Sequence, residues 1–235
     1  MLSINQQNQM IDSNKLASRT FGIAFLIGYL SYGVGFALVN TIINAPGGLA
    51  TIYASKNQVI FDAAIMMAVF ATINIGLGII MTPLLKPFNK TLTYGYLSAA
   101  IVSTVLLVVG AIFILLLVPL SEVFVKAGSA DTNYFETLSI LCKRANFFAY
   151  QIGMVIWGLG GLMFCYLLYL SKFVPQWMSI WGFIAYVIFI SGAFFALFGY
   201  NIDIILDIPG GLFEIFLSFW LIIKGFNRTV AGASK

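Results

Sequence analysis

Apolar residues occur in long runs along this chain, and the charged residues are confined to the short segments between them. Five uncharged runs cover residues 21–43, 63–85, 91–121, 145–171 and 173–202, and each exceeds the roughly 20 residues that an α-helix needs to cross a bilayer. A sixth apolar run is interrupted only by Glu214. The pattern therefore predicts six membrane-spanning helices.

Strands do not fit these runs. The strands of a membrane barrel alternate apolar and polar residues over about ten positions, whereas these runs are continuously apolar and much longer. We predict an all-α integral membrane bundle, with a polar cytoplasmic tail over 1–20, a six-span domain over 21–227 and a second cytoplasmic tail over 228–235. The spans are expected at 21–43, 61–85, 92–120, 145–171, 175–201 and 207–227.

The longest polar connection follows the third span, at residues 122–144. The letters AGSADTN are typical of a turn, and the sequence continues as NYFETLSILCKRANFFAY. This stretch either extends the fourth span outward as one helix or lies on the membrane surface as an amphipathic helix. We favour the outward extension.

Composition excludes a soluble domain. Of the 235 residues, 61% are hydrophobic and 9% are charged, against about 45–50% and about 25% in soluble proteins. The expected surroundings are therefore the lipid bilayer, and we expect no nucleic-acid partner. We also expect no cleavable signal peptide, because the first twenty residues are polar.

The distribution of Lys and Arg predicts the orientation of the spans. With the N-terminus inside, four basic residues lie outside, namely Lys56, Lys126, Lys143 and Arg144. Eight lie inside, namely Lys15, Arg19, Lys86, Lys90, Lys172, Lys224, Arg228 and Lys235. Both termini are therefore predicted to be cytoplasmic, in a cell membrane.

Glu214 is the most informative residue, because it lies within the sixth apolar run. An acidic residue near the centre of a span costs about 2.5–3.5 kcal/mol on insertion scales. Asp203, Asp207, Glu214 and Ser218 recur at intervals of four, seven and four, so they share one face of a helix. Pro209 suits the first turn of that helix, and Asp207 before it suits a helix-start cap.

The fourth span carries a comparable stripe. Its members are Arg144, Gln151, Gly158, Gly161 and Cys165. The glycines permit a neighbouring helix to approach closely. We expect Gln151 to face Glu214 about two turns below the outer surface, with Arg144 reaching toward Asp203, Asp207 or Asp62.

Two interpretations of these polar groups remain open. They form either a purely structural hydrogen-bond network or the lining of a ligand cavity in the outer half of the bundle. Asn74 is expected to be a hydrogen-bonded core amide, and Asp62 a solvated helix end. The candidate pocket residues are Glu214, Gln151, Tyr150, Asp207, Asp203, Arg144, Asp62 and Asn40.

The sequence narrows the chemistry. It contains no histidine, which excludes histidine metal sites and Ser-His-Asp triads, and we expect no metal, no cofactor and no catalytic residue. The leading hypothesis is a protein that binds, senses or transports a small or lipidic molecule.

Two further hypotheses come from other classes. The first is an accessory subunit that packs against another membrane protein or a second copy through Gly22, Gly28, Gly33 and Gly35. The second is an intramembrane enzyme that uses Glu214 as an acid or base with Asp203 or Asp207.

The second half of the chain resembles a known family. The segments YQIGMVIWGLGGLMFCYLLYLSKFVPQWMSIWGFIAY and PGGLFEIFLSFWLIIKGFN are similar to the bacterial membrane proteins grouped as domain-of-unknown-function family 4386. The resemblance implies a six-span bundle in a bacterial cytoplasmic membrane and no established activity, with Gln151 and Glu214 at motif positions. Gly160 or Gly161 stands where the family pattern often has a histidine, which puts any chemistry of that histidine in doubt here.

Overall fold

The computed structural model describes residues 4–128, 132–200 and 202–227, with side chains from Lys15 onward apart from that of Asp203. Within these ranges every regular element is a helix, and there is no strand. The eight helices are α1 (Ile4–Ile43), α2 (Leu49–Ala54), α3 (Lys56–Leu85), α4 (Lys90–Leu115), α5 (Leu117–Ala127), α6 (Thr132–Ser171), α7 (Gln176–Leu197) and α8 (Asp203–Ile223).

The predicted all-α bundle is confirmed. In the described part of the chain, six helical segments are long and apolar enough to cross a membrane. They are α1 from Lys15 onward, α3, α4 with α5, α6, α7 and α8 from Ile204 onward. We call the end where α1 finishes and α8 begins the distal end of the bundle.

Several boundaries differ from the expected spans. Helix α1 starts at Ile4, so the segment expected to be a polar tail is already helical. A short helix, α2, follows the first span, and α3 starts at Lys56. The third span breaks at Leu116, and Pro119 then lies in the first turn of α5, where a proline is tolerated.

Helix α6 runs without interruption over 40 residues, from Thr132 to Ser171. The polar stretch before the fourth span therefore extends that span, as favoured from the sequence. The first turns of α6, at the distal end, pack against α5, where Phe135 contacts Phe124 edge to face.

The start of α8 corrects one sequence prediction. Asp207 was expected to cap the helix just before Pro209, but α8 begins at Asp203 and Pro209 lies inside it. Proline removes one backbone hydrogen bond without ending the helix, and helices in lipid tolerate this because local adjustments satisfy the freed carbonyl. Asp207 is therefore a helical residue with its side chain on the same face as Glu214.

The spans form a closed ring. Going round it, α1 packs on α3, α3 on α4, α4 on α6, α6 on α7, α7 on α8, and α8 again on α1. We call this arrangement the helix ring. Its interior is filled near the chain termini by a proximal core around Phe21, Leu168 and Phe213. A distal core around Ile52, Val59 and Leu117 fills the other end, and the candidate site lies between the two cores.

Candidate functional site

A partly open cavity of about 250 Å³ lies between the helices of the ring, and its lining includes Tyr29 and Phe36, which are 41% and 38% exposed. Its walls come from α1, α3, α6 and α8, with Phe189 contributed by α7. The lining residues are Phe25, Gly28, Tyr29, Tyr32, Gly33, Phe36, Phe70, Ile73, Asn74, Leu77, Tyr150, Met154, Trp157, Phe189, Asp207, Gly210, Gly211 and Glu214. We call this space the cavity.

Aromatic rings make up much of the cavity wall. Tyr32, Phe36, Phe70 and Tyr150 form one cluster, with Tyr32 4.9 Å from Phe70 and Phe36 5.5 Å from Tyr150 between ring centroids. We call these four residues the aromatic cluster. Below it, Phe25 lies 6.4 Å from Trp157. Such spacings are ordinary aromatic packing distances, so the wall is ordered by ring contacts on both sides of the cavity.

Glu214 closes the deep wall of the cavity near the middle of α8. Its side chain is 8% exposed. One oxygen, Oε1, accepts two hydrogen bonds, from the Tyr186 hydroxyl at 2.8 Å and from the Trp157 indole N–H at 3.3 Å. Both bonds go to the same atom, and among the described residues none is donated to Oε2. The carboxyl group is therefore held by protein through one oxygen, and Glu214 lines the cavity.

The local sequence of α8 explains how Glu214 and its neighbours reach this position. Asp207 and Glu214 are seven residues apart, so they lie on one helix face about 10 Å apart along the axis. Gly211 lies between them, where a Cβ atom would stand 2.8 Å from the Tyr29 hydroxyl. The glycine therefore makes room for Tyr29 at the cavity wall.

Gly210 lies on the same face and has more space. The nearest atom to a Cβ atom there would belong to Phe189, at 3.6 Å, which is an ordinary van der Waals distance. On the far side of Glu214, the Ser218 hydroxyl donates to the Glu214 backbone carbonyl at 2.8 Å. The face of α8 that was expected to turn inward therefore does so.

Asn74 provides a polar group on the α3 side of the cavity. Its amide donates to Thr104 Oγ1 at 2.6 Å and to the Ala100 carbonyl at 3.3 Å, and it is 3% exposed. The expected core amide is therefore confirmed, and the same residue also lines the cavity.

The structure brings together some of the candidate pocket residues. Glu214, Asp207 and Tyr150 line the cavity. Asn40 lies in a second, smaller space of about 20 Å³ on the distal side of the aromatic cluster, which Tyr150 also borders. That volume holds about one water molecule. Asn40 is therefore separated from Glu214 by aromatic side chains.

Gln151 is placed differently from the expectation. It is 3% exposed but does not line the cavity. Other members of its stripe face α7, because a Cβ atom at Gly158 would lie 2.5 Å from Ile190 and one at Gly161 would lie 2.5 Å from the Tyr186 ring. Helix α7 therefore lies against the stripe that was expected to meet α8. Trp157, six residues after Gln151, is the α6 residue that reaches the Glu214 carboxylate.

Of the remaining three candidates, two do not line the cavity and the side chain of the third lies outside the described residues. Arg144 is exposed, and the ion pair recorded among the described residues joins Lys56 to Glu122 at 2.7 Å. The expected reach of Arg144 toward Asp203, Asp207 or Asp62 stays a prediction. Asp62 is partly buried, and its Oδ2 atom finds no hydrogen-bond partner in the described part of the chain. The side chain of Asp203 lies outside the described residues.

Sequence reasoning missed the aromatic partners of Glu214. Trp157 and Tyr186 were hidden because an aromatic residue within an apolar run carries no polar signal. One signal was available on α1, where Phe25, Tyr29, Tyr32 and Phe36 recur at intervals of four, three and four. This spacing places four rings on one helix face, and all four line the cavity.

The carboxylates of the cavity stand apart from one another. Asp207 and Glu214 are two helical turns apart, too far for both to ligate one ion. No group of three or more Cys, Asp or Glu side chains that could hold a metal ion occurs among the described residues.

In the described part of the chain, six apolar helices arranged as a ring define a multi-pass membrane protein whose outer faces contact lipid. The chain belongs to the family described as Domain of unknown function (DUF4386), whose model matches residues 20–225. The resemblance seen in the sequence is thus confirmed over most of the chain. No curated protein and no solved structure matches the chain.

Proposed function

We propose that this protein binds a small molecule in the cavity beside Glu214. The observation that carries the proposal is a space of about 250 Å³ whose wall includes the carboxyl group of Glu214, which is nine-tenths buried and accepts its hydrogen bonds through one oxygen. Binding is the step that sensing and transport share. Accessory-subunit and enzyme roles lack comparable support.

The size of the cavity sets the size of the ligand. A cavity of about 150 Å³ in another protein admits benzene, so about 250 Å³ gives room for about ten non-hydrogen atoms by proportion. Mostly apolar walls with a few convergent polar groups are typical of small-molecule sites. A whole lipid does not fit within this space, although a headgroup or a short amphiphile does.

The two interpretations of Glu214 are compatible in this proposal. Through Oε1 the carboxyl group accepts hydrogen bonds from Tyr186 and Trp157, which is a structural role. Through Oε2 it is available to a ligand. Because the hydrogen bonds to Oε1 fix the orientation of the carboxyl group, they preorganise Oε2 for a ligand, which reduces the entropy lost on binding.

The accessory-subunit hypothesis loses its main motivation. Three of the four glycines proposed as a docking face on α1 are used within the chain. Gly22 faces the backbone of Ser218, Gly28 faces Ile73, and Gly35 faces Met66. The enzyme hypothesis is weakened in turn because Asp207 lies about 10 Å from Glu214 along α8.

The orientation of the chain is a further part of the proposal. The excess of Lys and Arg near the chain termini supports cytoplasmic termini, with the distal end facing the outside of a bacterial cell. In a variant without Cys142 and Cys165, a cysteine at Lys56 should react with an impermeant thiol reagent added outside, and cysteines at Lys90 or Lys172 should not. Reaction at Lys90 from outside would reverse the orientation.

The binding proposal is tested by purifying the protein from native membranes and identifying bound small molecules by mass spectrometry. Gly210→Leu places a side chain in the cavity at a position where a Cβ atom is tolerated. Gly76→Leu is the matched control, because a Cβ atom at Gly76 meets nothing within 4 Å and Gly76 does not line the cavity.

We expect a compound that copurifies with the wild type and Gly76→Leu to be lost from Gly210→Leu. Equal recovery of every bound molecule from all three proteins would refute the proposal. A melting temperature for Gly210→Leu close to that of Gly76→Leu shows that the loss is not caused by unfolding.

A further inference from the structure

We propose that the ligand of the cavity is an organic cation, an ammonium group carrying an apolar body. This inference rests on the proposed binding function and adds the chemical class of the ligand. The charges of the wall suggest it first. Among the described residues, the lining contains two carboxylates, Asp207 and Glu214, and no lysine or arginine.

Among the described residues, Glu214 has no positive partner. Its hydrogen bonds come from a phenol and an indole, which are neutral donors. A buried carboxylate without a counter-charge is costly in a medium of low dielectric constant. A ligand cation next to Oε2 supplies the counter-charge that the described part of the chain does not place there.

The aromatic wall supports the same class of ligand. Cations bind favourably over the faces of Trp, Tyr and Phe rings, and quaternary ammonium groups are recognised in cages of such rings. Here Trp157 lies against the carboxylate while Phe25 and Tyr29 line the same part of the cavity. The combination of one carboxylate with several rings selects an ammonium group over a neutral hydrogen-bond donor.

The remaining space fits the body of the ligand. The cavity reaches from Glu214 to the aromatic cluster, and Ile73, Leu77 and Met154 also line it. These side chains offer apolar contacts and no complementary charge. Asp207 stands about two turns nearer the distal end of α8, where a second negative group attracts cations and repels anions.

The test uses the purified full-length protein and three probes of similar shape and different charge. Benzyltrimethylammonium is the cation, neopentylbenzene is its neutral isostere, and phenylacetate is an anion. Binding is measured by equilibrium dialysis in detergent for the wild type, Glu214→Gln and Gly210→Leu. Glu214→Gln keeps an oxygen that accepts from Tyr186 and Trp157 while removing the negative charge.

We expect the wild type to bind the cation at least about tenfold more tightly than the neutral isostere, a difference within the range of one desolvated cation–aromatic contact. Phenylacetate should bind most weakly. Glu214→Gln should bring the cation and the isostere to similar affinities while retaining the isostere, which also shows that the variant is folded. Trp157→Phe, which retains the carboxylate, should reduce cation binding by a smaller factor.

Two contrary outcomes are distinguishable. If the wild type binds the cation and the isostere equally, and Gly210→Leu binds neither, the ligand class is wrong and the cavity remains a binding site. If no probe shows binding that Gly210→Leu removes, and no native molecule depends on Gly210, the proposed function fails as well.

Discussion

Glycine occurs in two regions of the molecule with opposite effects on packing. Between α4 and α6 it accompanies a tight helix contact, and between α1 and α8 it accompanies a cavity. Along α4 and α6, glycine lets the two helices approach closely, and a Cβ atom at Gly160 would lie 2.9 Å from the Ala99 Cβ atom. A Cβ atom at Gly153 would lie 3.5 Å from Leu106 and from the Ser103 carbonyl, and one at Gly110 would lie 3.1 Å from Asn146. The glycines bring the two helices together without leaving space, as is common between membrane helices. We call this contact the α4–α6 seam.

The cavity wall shows the other result. Gly33 on α1 has nothing within 4 Å of the position of a Cβ atom, and at Gly210 the nearest atom, on Phe189, lies 3.6 Å away. The neighbouring rings are held by one another and by Glu214, so they do not move in to fill the space. Glycine therefore closes a contact where a facing group comes near it, and leaves space where the facing groups are held elsewhere.

The largest effect is expected from breaking the α4–α6 seam. Gly160→Leu forces a side chain against Ala99, and overpacking of this kind costs about 3 kcal/mol of unfolding free energy. The same substitution at Gly210, within the cavity, should leave the thermal melting temperature nearly unchanged. Similar losses at both positions would show that the cavity is as tightly packed as the seam.

Removal of the Glu214 carboxyl group should have the next largest effect on stability. Glu214→Leu leaves the buried hydroxyl of Tyr186 without an acceptor, which costs about 2 kcal/mol. Glu214→Gln is the matched control, because its amide oxygen still accepts, and it should lose less than half as much. Denaturant titration of the two variants in detergent measures the difference, and equal losses would contradict the role of Oε1 as an acceptor.

Removing a single hydrogen-bond donor to Glu214 should lower stability by a smaller amount. Tyr186→Phe removes one hydrogen bond to Glu214 and keeps the ring, so we expect a loss of about 1 kcal/mol. Tyr166→Phe serves as the comparison, because Tyr166 is exposed on the outer face of α6. That variant should unfold at the denaturant concentration of the wild type. If the two variants unfold together, the Tyr186 hydroxyl contributes nothing.

The smallest expected effect is a gain in stability on replacing Gly210 by alanine. A glycine inside a helix is less stable than alanine by about 0.5–1 kcal/mol, and a Cβ atom at Gly210 makes only an ordinary contact with Phe189. Gly210→Ala should therefore raise stability by about 0.5 kcal/mol, whereas Gly160→Ala should lower it. A loss of stability for Gly210→Ala would indicate that the space beside it is smaller than described.

The spans were predictable because uncharged runs of this length have few other uses. The inward face of α8 was predictable too, because Asp207 and Glu214 are polar residues at helical spacing. The hydrogen-bond partners of Glu214 were not predictable from the sequence. Spacing along α6 identifies a stripe through Gln151, but it does not say whether that stripe meets α7 or α8, and the aromatic residue that does reach Glu214 is apolar by composition.

The start of α8 was misplaced for a related reason. Pro209 is a common first-turn residue, so Asp207 before it read as a cap. In the structure the helix has already begun at Asp203, because backbone groups in lipid have no water to bind and helix is retained through a proline. The short helix α2 was missed because six residues are too few to show a period.

The claim that the space beside Glu214 admits a ligand is tested most directly by cysteine accessibility. In a chain without Cys142 and Cys165, a cysteine at Met154 lies on the cavity wall, and one at Leu168 lies in the proximal core. We expect a small trimethylammonium-bearing thiosulfonate to modify Met154→Cys and to leave Leu168→Cys unmodified, with Gly210→Leu slowing the first reaction. A cysteine at Met154 that is as unreactive as the one at Leu168 would contradict the account.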